Sequence, residues 1–519
     1  MKLSEKLLLI LTVLIHYSSY AQVVPVHKEL YDYNQLSQSW VKTQNAAGLT
    51  RDSLIEQGIA YFQLEKSDGS YYLVQDGDSY NKLLFVSESF KKIGNYLYGY
   101  GKVSFDMGRI FERSWSDVYR SHNSNPYFSG SSIKGKYDTQ NFNLSASLAS
   151  VDINGFTYGF KIDYNVGDLS RLRDPRSRVN LADYRILPSV TYSFGKHVFG
   201  LDAGYHRRKE KIPSITTVQS DPNMKYYILT GMENANGVVG GYSGFKRQFV
   251  HHEFEGGLSY SYNGCLWNSV NSLIIKKGHE DVTGDMKYMP GKYHTSIIGF
   301  SSFNRFVRGR LLHTLNLNLS MENSSADEYV QEKVTEKNPV TGIESSYWRT
   351  LITYDERYKV NVSDVSLDYK IHWLNNQNKE RFAYLGVNLD YRNVSNEFTL
   401  PYSSLKYSYT DATLNGGGTV WKKGLSSLNV EANIGYLASL NSSIQLTDNS
   451  TDYAQQVLLP DMQYYSSSAI HGDLSVQYSF PLKVKKKSSQ LFVKMFGGYL
   501  STNNETDRYN VSLAFGIYY

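Results

Sequence analysis

Apolar and polar residues alternate along many short stretches of this chain. In "GFTYGFKIDYNVG" the odd-side positions carry Thr157, Gly159, Lys161, Asp163 and Asn165, whereas the even-side positions carry Phe156, Tyr158, Phe160, Ile162 and Tyr164. A period of two predicts a β-strand with one apolar and one polar face. The preceding stretch "NFNLSASLAS" alternates in the same way, and the Asn154-Gly155 pair between them is typical of a tight hairpin turn. The recurrence of such segments predicts an all-β protein.

The final stretch, "RYNVSLAFGIYY", indicates how these strands are arranged. Its alternate positions form one apolar face, which consists of Tyr509, Val511, Leu513, Phe515, Ile517 and Tyr519. Terminal residues fray unless neighbours hold them, so a strand that runs to the last residue suggests pairing on both edges. A closed barrel provides such pairing. In a membrane barrel the apolar face points to lipid and the polar face to the lumen, so we expect these six residues to face lipid.

The connections between the strands alternate between short and long. Short examples are "VDING" and "SFGKH", and long ones span residues 209–248 and 322–350. Short turns at one rim and long loops at the other are typical of outer-membrane barrels. The sequence therefore predicts an antiparallel, up-and-down transmembrane β-barrel over residues 81–519, with long extracellular loops and short periplasmic turns. The count is about sixteen strands, with fourteen as the alternative.

The N-terminal residues differ from the rest of the chain. Two lysines in "MKLSEK" precede the apolar run "LLLILTVLI", and Ser19 and Ala21 are the small residues that a signal peptidase reads. This pattern predicts a signal peptide over residues 1–21 and export to the bacterial outer membrane. Residues 22–80 contain the turn signals Asp68-Gly69 and Asp76-Gly77. They are expected to form a periplasmic segment or a plug inside the barrel, and the sequence leaves both interpretations open.

The composition fits this interpretation and excludes others. The mean hydropathy is −0.43, but alternation hides the apolar half of each strand from such an average. A formal charge of +5 is too small to indicate a nucleic-acid partner. The single cysteine, Cys265, cannot form a disulfide within the chain.

The sequence offers little catalytic chemistry. The pair His251-His252, followed by Glu253, suggests a metal or acid–base cluster. Adjacent residues of a strand point to opposite faces, however, so the two imidazoles cannot share one ligand sphere. We therefore predict no catalytic residue, no metal site and no cofactor. The expected lumen positions carry both signs of charge, so the sequence predicts no ion selectivity.

Two long loops are candidate contact sites. The loop 209–248 is apolar, aromatic and glycine-rich, so it should pack in the lumen as a constriction or against another protein; its candidate residues are Tyr226, Tyr227, Met232, Tyr242 and Phe245. The stretch "SRLRDPRSR" places four guanidinium groups in one extracellular loop, where they could bind lipopolysaccharide phosphates; these are Arg171, Arg173, Arg176 and Arg178. The alternative is a solvated loop with an internal pair to Asp174.

The segments "GLDAGYHRRKE", "TTVQSDPNMKYYILTGMENA" and "NGVVGGYSGFKRQF" resemble a family of uncharacterised outer-membrane barrels of Bacteroidota. Genes of such barrels tend to lie near those of TonB-dependent transporters and surface lipoproteins. The resemblance implies a non-enzymatic accessory subunit of a surface nutrient-uptake or outer-membrane complex, with partner-binding extracellular loops. A stand-alone channel or hydrophobic-solute transporter is the alternative, and a surface hydrolase is a third reading. The implied partners are outer-membrane lipid and lipopolysaccharide, a TonB-dependent transporter, a surface lipoprotein and, transiently, the barrel-assembly machinery.

Overall fold

Eighteen antiparallel strands form a closed barrel in the computed structural model, which describes residues 27–52, 56–218, 224–239, 245–337, 339–375, 380–484 and 487–519. The signal-peptide prediction lies outside the described residues. The barrel strands are β1 (Gln57–Gly69), β2 (Ser79–Ile93), β3 (Leu97–Arg113), β4 (Gly135–Ser150), β5 (Phe156–Arg171), β6 (Arg176–Phe194), β7 (His197–Ile212), β8 (Arg247–Asn263), β9 (Trp267–Thr283), β10 (Gly291–Arg308), β11 (Leu311–Lys337), β12 (Glu344–Asn375), β13 (Glu380–Thr399), β14 (Tyr402–Lys423), β15 (Ser426–Gln445), β16 (Ala469–Val484), β17 (Lys487–Thr502) and β18 (Asp507–Tyr518).

Each strand pairs with the next along the chain, and β1 closes the ring by pairing with β18. The closing register sets Phe62 opposite Phe515 and Leu64 opposite Leu513. Closure satisfies the backbone groups that a sheet edge would leave unpaired, as a bilayer requires. The predicted antiparallel up-and-down barrel is confirmed.

The predicted strand number was two too low. Sixteen strands follow from Leu97 onward, as the alternation indicates, but β1 and β2 precede them. The boundary between residues 80 and 81 therefore falls too late, because β1 lies wholly within the stretch assigned to a periplasmic segment or plug. Asp68-Gly69 and Asp76-Gly77 do mark turns, with φ of +148° at Gly69 and +82° at Gly77. They flank the connection between two barrel strands and not a hairpin in the lumen.

The outside of the barrel is apolar. Of the six residues predicted to face lipid, Tyr509, Val511, Leu513 and Phe515 are exposed on β18, and Leu513 is 46% exposed. Ile517 and Tyr519 are half-buried. Other strands contribute large exposed side chains to the same surface, including Phe160, Leu258, Ile298, Leu389 and Ile434. A closed barrel of even strand number with such a surface is the architecture of outer-membrane proteins, and the protein lies in that membrane. None of the helices among the described residues is long and apolar enough to cross a bilayer.

The two rims differ as the sequence predicts. One rim carries tight turns, and Asn154 and Gly155 have φ of +54° and +89° in the predicted turn between β4 and β5. The other rim carries the long connections, so it is the extracellular rim. The segment 322–350 differs from the expected loop, because most of it continues β11 and β12 as strands.

Several short elements are not part of the barrel wall. Helix α1 (Lys28–Ser37) and the 3-10 turns Trp40–Lys42 and Ala46–Arg51 precede β1. The long connections contain the short strands Ser129–Gly130, Ile215–Thr216, Lys225–Gly231 and Asn234–Val239, the 3-10 turn Asp285–Lys287, the π-turn Ala454–Leu458 and helix α2 (Leu459–Ser466). Ile215–Thr216 pairs with the start of β6. The other three short strands form a separate sheet.

Candidate functional site

Residues 27–52, which we call the plug, cross the lumen at the rim with short turns. At one end the Asp32 carboxylate lies between two cations, 2.8 Å from Lys28 Nζ and 2.5 Å from Arg381 Nη2 on β13. Glu431 on β15 extends this network to Lys28 at 3.4 Å. His27 also contacts Glu380 at 2.7 Å. Burial alone would lower the pKa of Lys28 and raise that of Asp32, but their mutual attraction outweighs burial and shifts both pKa values the other way.

The other end of the plug binds the opposite wall. Gln44 donates to Asp202 on β7 and accepts from Arg185 Nη2 on β6 at 2.5 Å. The backbone of Ala47 donates to Ser189 Oγ at 3.0 Å and accepts from Thr157 Oγ1 at 2.8 Å. The plug is therefore held by polar contacts on both sides of the lumen, and Trp40 and Leu49 add apolar contacts with the wall. Residues 27–52 of the predicted N-terminal segment thus lie inside the lumen, whereas residues 57–69 form β1 of the wall.

The extracellular end is closed by a different kind of contact. We call the described residues of the loops 114–134, 213–246 and 446–468 the cap. Its centre is Trp115, whose ring lies 4.3 Å from that of Tyr227 and 5.3 Å from that of Tyr453. These rings join one apolar core with inward side chains of the barrel wall, among them Phe249, Tyr358 and Val394. The three loops thus pack on one another and on the wall, and they cover the mouth.

Buried hydrogen bonds fix the register of the cap. Asp117 accepts from the hydroxyls of Tyr137 and Tyr226, each at 2.8 Å. Arg171 Nη1 donates to the Tyr137 hydroxyl at 2.8 Å. Elsewhere in the cap, Asp461 accepts from the backbone N–H of Val74 at 2.9 Å, and burial raises the pKa of Asp461 to about 7. These buried hydrogen bonds join the cap loops to one another and to the wall.

The candidate residues of the loop 209–248 lie in the cap. Tyr226, Tyr227 and Met232 are buried in its core, and Phe245 packs against Tyr226 with ring centroids 5.4 Å apart. Tyr242 lies outside the described residues. Of the two expectations for this loop, the structure places the described residues in the mouth of the lumen.

The four arginines have different surroundings. Arg171 is buried and donates to the carbonyls of Arg173 and Ile133, so it is a structural residue of the cap. Arg176 pairs with Asp174 at 2.8 Å, as the alternative reading expected, and Arg178 pairs with Asp168 at 2.7 Å. Arg173, Arg176 and Arg178 are exposed at the extracellular rim.

A polar chamber remains between the plug and the cap. It has a volume of about 360 Å³. Three inward residues of β7 contact the plug, the chamber and the cap in turn along the lumen. Asp202 contacts the plug, and His206 lines the chamber. Glu210 accepts a hydrogen bond from the backbone N–H of Tyr119 in the cap at 2.8 Å. The polar lining of the chamber consists of Lys102, Ser104, Asn143, Ser145, Asp163, Asn165, Asp183, Arg185 and His206.

Beside the chamber, His206 on β7 meets His251 and Glu253 on β8. One ligand atom from each of the three side chains lies within 4.8 Å of the other two. His252 points the other way, toward the Tyr205 hydroxyl at 2.7 Å, as strand alternation predicts. The prediction that His251 and His252 face opposite sides of the strand is thus confirmed, but the sequence pattern did not indicate His206. Only the register that sets His206 opposite Glu253 reveals the group.

A hairpin projects beyond the extracellular rim. β10 stops pairing with β11 at Glu328, and β13 begins pairing with β12 at Tyr358, so residues 329–337 and 344–354 form a two-stranded ribbon beyond the neighbouring strands. The loop before β10 contacts one side of it, where Tyr329 N donates to the Pro290 carbonyl at 2.9 Å and the rings of Tyr288 and Trp348 are 4.9 Å apart. Several of its apolar side chains are exposed, namely Val330, Tyr347, Leu351, Ile352 and Tyr354. Leu351 and Ile352 are 53% and 47% exposed. A strand crosses a bilayer in roughly 9–11 residues, so this surface lies well outside the membrane.

Several solved structures are similar to this chain, and the likeness concerns the fold alone. The chain is similar to the FrpB iron transporter from Neisseria meningitidis, with 10% identity, coverage of 92% of this chain and 83% of that chain, and a TM-score of 0.38. It is also similar to the outer membrane transporter YddB from Escherichia coli, with 8% identity, coverage of 89% and 81%, and a TM-score of 0.40. A third is OpdK from Pseudomonas aeruginosa, with 9% identity, coverage of 89% and 98%, and a TM-score of 0.32. No curated protein matches the sequence.

A protein-family model gives a direct assignment. It matches residues 46–519, a range that begins within the plug and includes all eighteen barrel strands. The chain belongs to the family of unknown function DUF6850.

Proposed function

We propose that this outer-membrane barrel is a non-enzymatic accessory subunit of a surface nutrient-uptake complex. The projecting hairpin 329–354 is the observation that carries this proposal. A two-stranded ribbon is marginally stable in water by itself, and its exposed apolar side chains, of which Val330 and Ile352 pair near its base, mark a contact site for another protein. Ion pairs on the ribbon, such as Arg349 with Glu332, limit self-association while it is free.

The closed lumen also supports an accessory role. The plug occupies the lumen at one end, and the aromatic core of the cap lies at the other. The chain places its long connections in the cap and presents the hairpin above it. The cap and the hairpin fit a subunit that positions or covers a neighbouring transporter. They fit a stand-alone channel less well.

The partner in this proposal is a TonB-dependent transporter with its surface lipoprotein, as in Bacteroidota. Residues 1–21 direct export, and the barrel-assembly machinery inserts the barrel. Arg173, Arg176 and Arg178 would contact lipopolysaccharide phosphates at the rim, because their guanidinium groups are exposed.

Polar substitution of two exposed apolar residues of the hairpin tests the accessory role. We expect the native protein, extracted from its outer membrane in mild detergent, to co-purify with a transporter or lipoprotein in stoichiometric amounts. The double variant Leu351→Ser/Ile352→Ser should lose most of that partner, because two exposed apolar anchors are removed. The measurement is the molar ratio of partner to barrel after affinity purification.

The matched control is Lys333→Ser/Lys337→Ser, which changes two exposed residues of the same ribbon without removing apolar surface. It should retain the partner. Native protein that purifies alone from intact outer membranes would refute the accessory role.

The second candidate is a gated transporter of polar solutes. The chamber supports it, since a charged cavity between two closures resembles an occluded binding site. Its charged lining does not suit a hydrophobic solute. A solute-dependent current in planar bilayers, from protein without partners, would favour this candidate over the accessory role.

A further inference from the structure

We propose that His206, His251 and Glu253 bind a divalent transition-metal ion, with Zn²⁺ as the probe, in the lumen of the barrel. This inference goes beyond the proposed function and does not depend on it. Two imidazole nitrogens and a carboxylate are a donor set that Zn²⁺ accepts while keeping a further position for a fourth ligand.

The spacing of the donor atoms is close to what a metal ion needs. Glu253 Oε1 lies 3.4 Å from His206 Nδ1, and Glu253 Oε2 lies 3.7 Å from His251 Nε2. Two ligands of a tetrahedral Zn²⁺ with bonds near 2.0–2.1 Å are about 3.4 Å apart. The two imidazole rings are 5.4 Å apart at 62°. A rotation of these side chains brings all three donors onto one ion without moving the strands.

Asp183 prepares His206 for this role. Its carboxylate is 2.8 Å from His206 Nε2, so that nitrogen carries the proton and donates it in the hydrogen bond. In the neutral ring that a metal ion requires, the lone pair would then be on Nδ1, which lies 3.4 Å from Glu253 Oε1. A carboxylate behind a histidine is the usual arrangement around protein-bound metals, because it fixes the tautomer and the ring orientation.

The charge around the cluster favours a cation. Five carboxylates and three basic groups form a connected set of ion pairs and hydrogen bonds, consisting of Asp163, Asp183, Asp202, Glu253 and Glu255 with Lys161, Arg185 and Lys276. With neutral imidazoles this set has two negative charges in excess, five minus three. Lys276 Nζ lies 3.8 Å from Glu253 and is the group that an ion would displace.

The position of the cluster allows exchange with the chamber. His206 lines the cavity of about 360 Å³, whereas His251 and Glu253 are buried beside it. An ion held here would have a water molecule or a solute from the cavity as its remaining ligand. A ligand of the lumen could thus bind through the metal.

The test is Zn²⁺ and Co²⁺ binding to full-length, detergent-purified protein that was stripped with a chelator and carries an affinity tag without histidine. We expect one Zn²⁺ per chain by calorimetry and a visible Co²⁺ absorption band. His206→Gln, His251→Gln and Glu253→Gln should each weaken binding by more than about 100-fold, and Asp183→Asn by about 10- to 100-fold. His252→Gln is the matched control and should bind as the wild type does, because its ring faces away from the cluster.

Three results would overturn the proposal: no stoichiometric binding by the folded wild type, equal binding by wild type and His251→Gln, or an equal loss in His252→Gln. Folding of each variant is verified by the heat-dependent shift of the barrel on a gel. X-ray absorption at the zinc edge of the wild type adds a test that needs no variant. Two imidazole ligands are expected, and a spectrum without them would also overturn the assignment.

Discussion

Replacing Asp32 with alanine is expected to release the plug from the lumen while the barrel stays folded. The carboxylate of Asp32 lies between Lys28 and Arg381, whose side chains are only 8% and 17% exposed. Removing one partner of a buried ion pair costs about 3–5 kcal/mol, since the remaining charges lose their compensation. A loss of about 3 kcal/mol raises the released population by roughly 100-fold or more.

Limited proteolysis with trypsin measures this release. Residue Lys42 precedes the buried segment 43–49, so cleavage after Lys42 requires the plug to leave the wall. When opening is fast, the cleavage rate follows the open population, and Asp32→Ala should raise it accordingly. The matched control is Asp152→Ala, which breaks the ion pair of Arg51 with a carboxylate that is 46% exposed. An exposed pair contributes at most about 1 kcal/mol. Equal cleavage rates in Asp32→Ala and wild type would contradict the role of this network.

The pH dependence of plug release has a defined sign. Burial would raise the pKa of Asp32, but the charges of Lys28 and Arg381 lower it below the ordinary value of 3.8. A carboxylate with a lowered pKa stabilises the docked state above its ordinary pKa, and this contribution is lost as the pH falls through the lowered value. The contribution of Asp32 to docking should therefore be constant from about pH 5 to 8, and acid should remove it only below about pH 4.

Leu513→Arg is expected to impair insertion of the barrel into the membrane. Leu513 is 46% exposed on the outer face of β18, near the middle of the strand that closes the ring against β1. An arginine on the lipid face near the bilayer midplane costs about 2–4 kcal/mol. The measurement is the fraction of protein in the outer membrane that shows the heat-dependent gel shift of a folded barrel.

The control for this variant is Ser512→Arg, one residue away. Residue 512 faces the lumen opposite Glu65, so an arginine there gains a carboxylate neighbour and avoids lipid. Its folded fraction should remain near that of the wild type. If Leu513→Arg inserts as well as Ser512→Arg, the assignment of the outer face is wrong.

The sequence was sufficient for the barrel wall because each strand carries its own local pattern. Alternation identified sixteen strands from Leu97 onward and the sense of their faces. It missed β1 because residues 22–80 were assigned to a periplasmic segment or a plug, whereas Gly69 and Gly77 flank the connection between β1 and β2. It also could not show that most of the stretch 322–350 extends two strands into a hairpin.

The contacts of the plug and the cap could not be predicted from local sequence patterns, because they join residues that are far apart in the chain. Asp32 and Arg381 are 349 residues apart, and Gln44 and Asp202 are 158 apart. The loop 209–248 was expected to pack on something, but its partners Trp115 and Tyr453 come from two other loops. His206 joined His251 and Glu253 only through the register of β7 with β8.

The central claim is that this chain closes its own barrel at both ends, and single-channel recording in planar bilayers tests it most directly. Purified wild-type protein, shown to be folded by its gel shift, should insert without steady open-channel current. Long-lived ohmic currents of the size expected for an eighteen-stranded pore would contradict the closure by the plug and the cap.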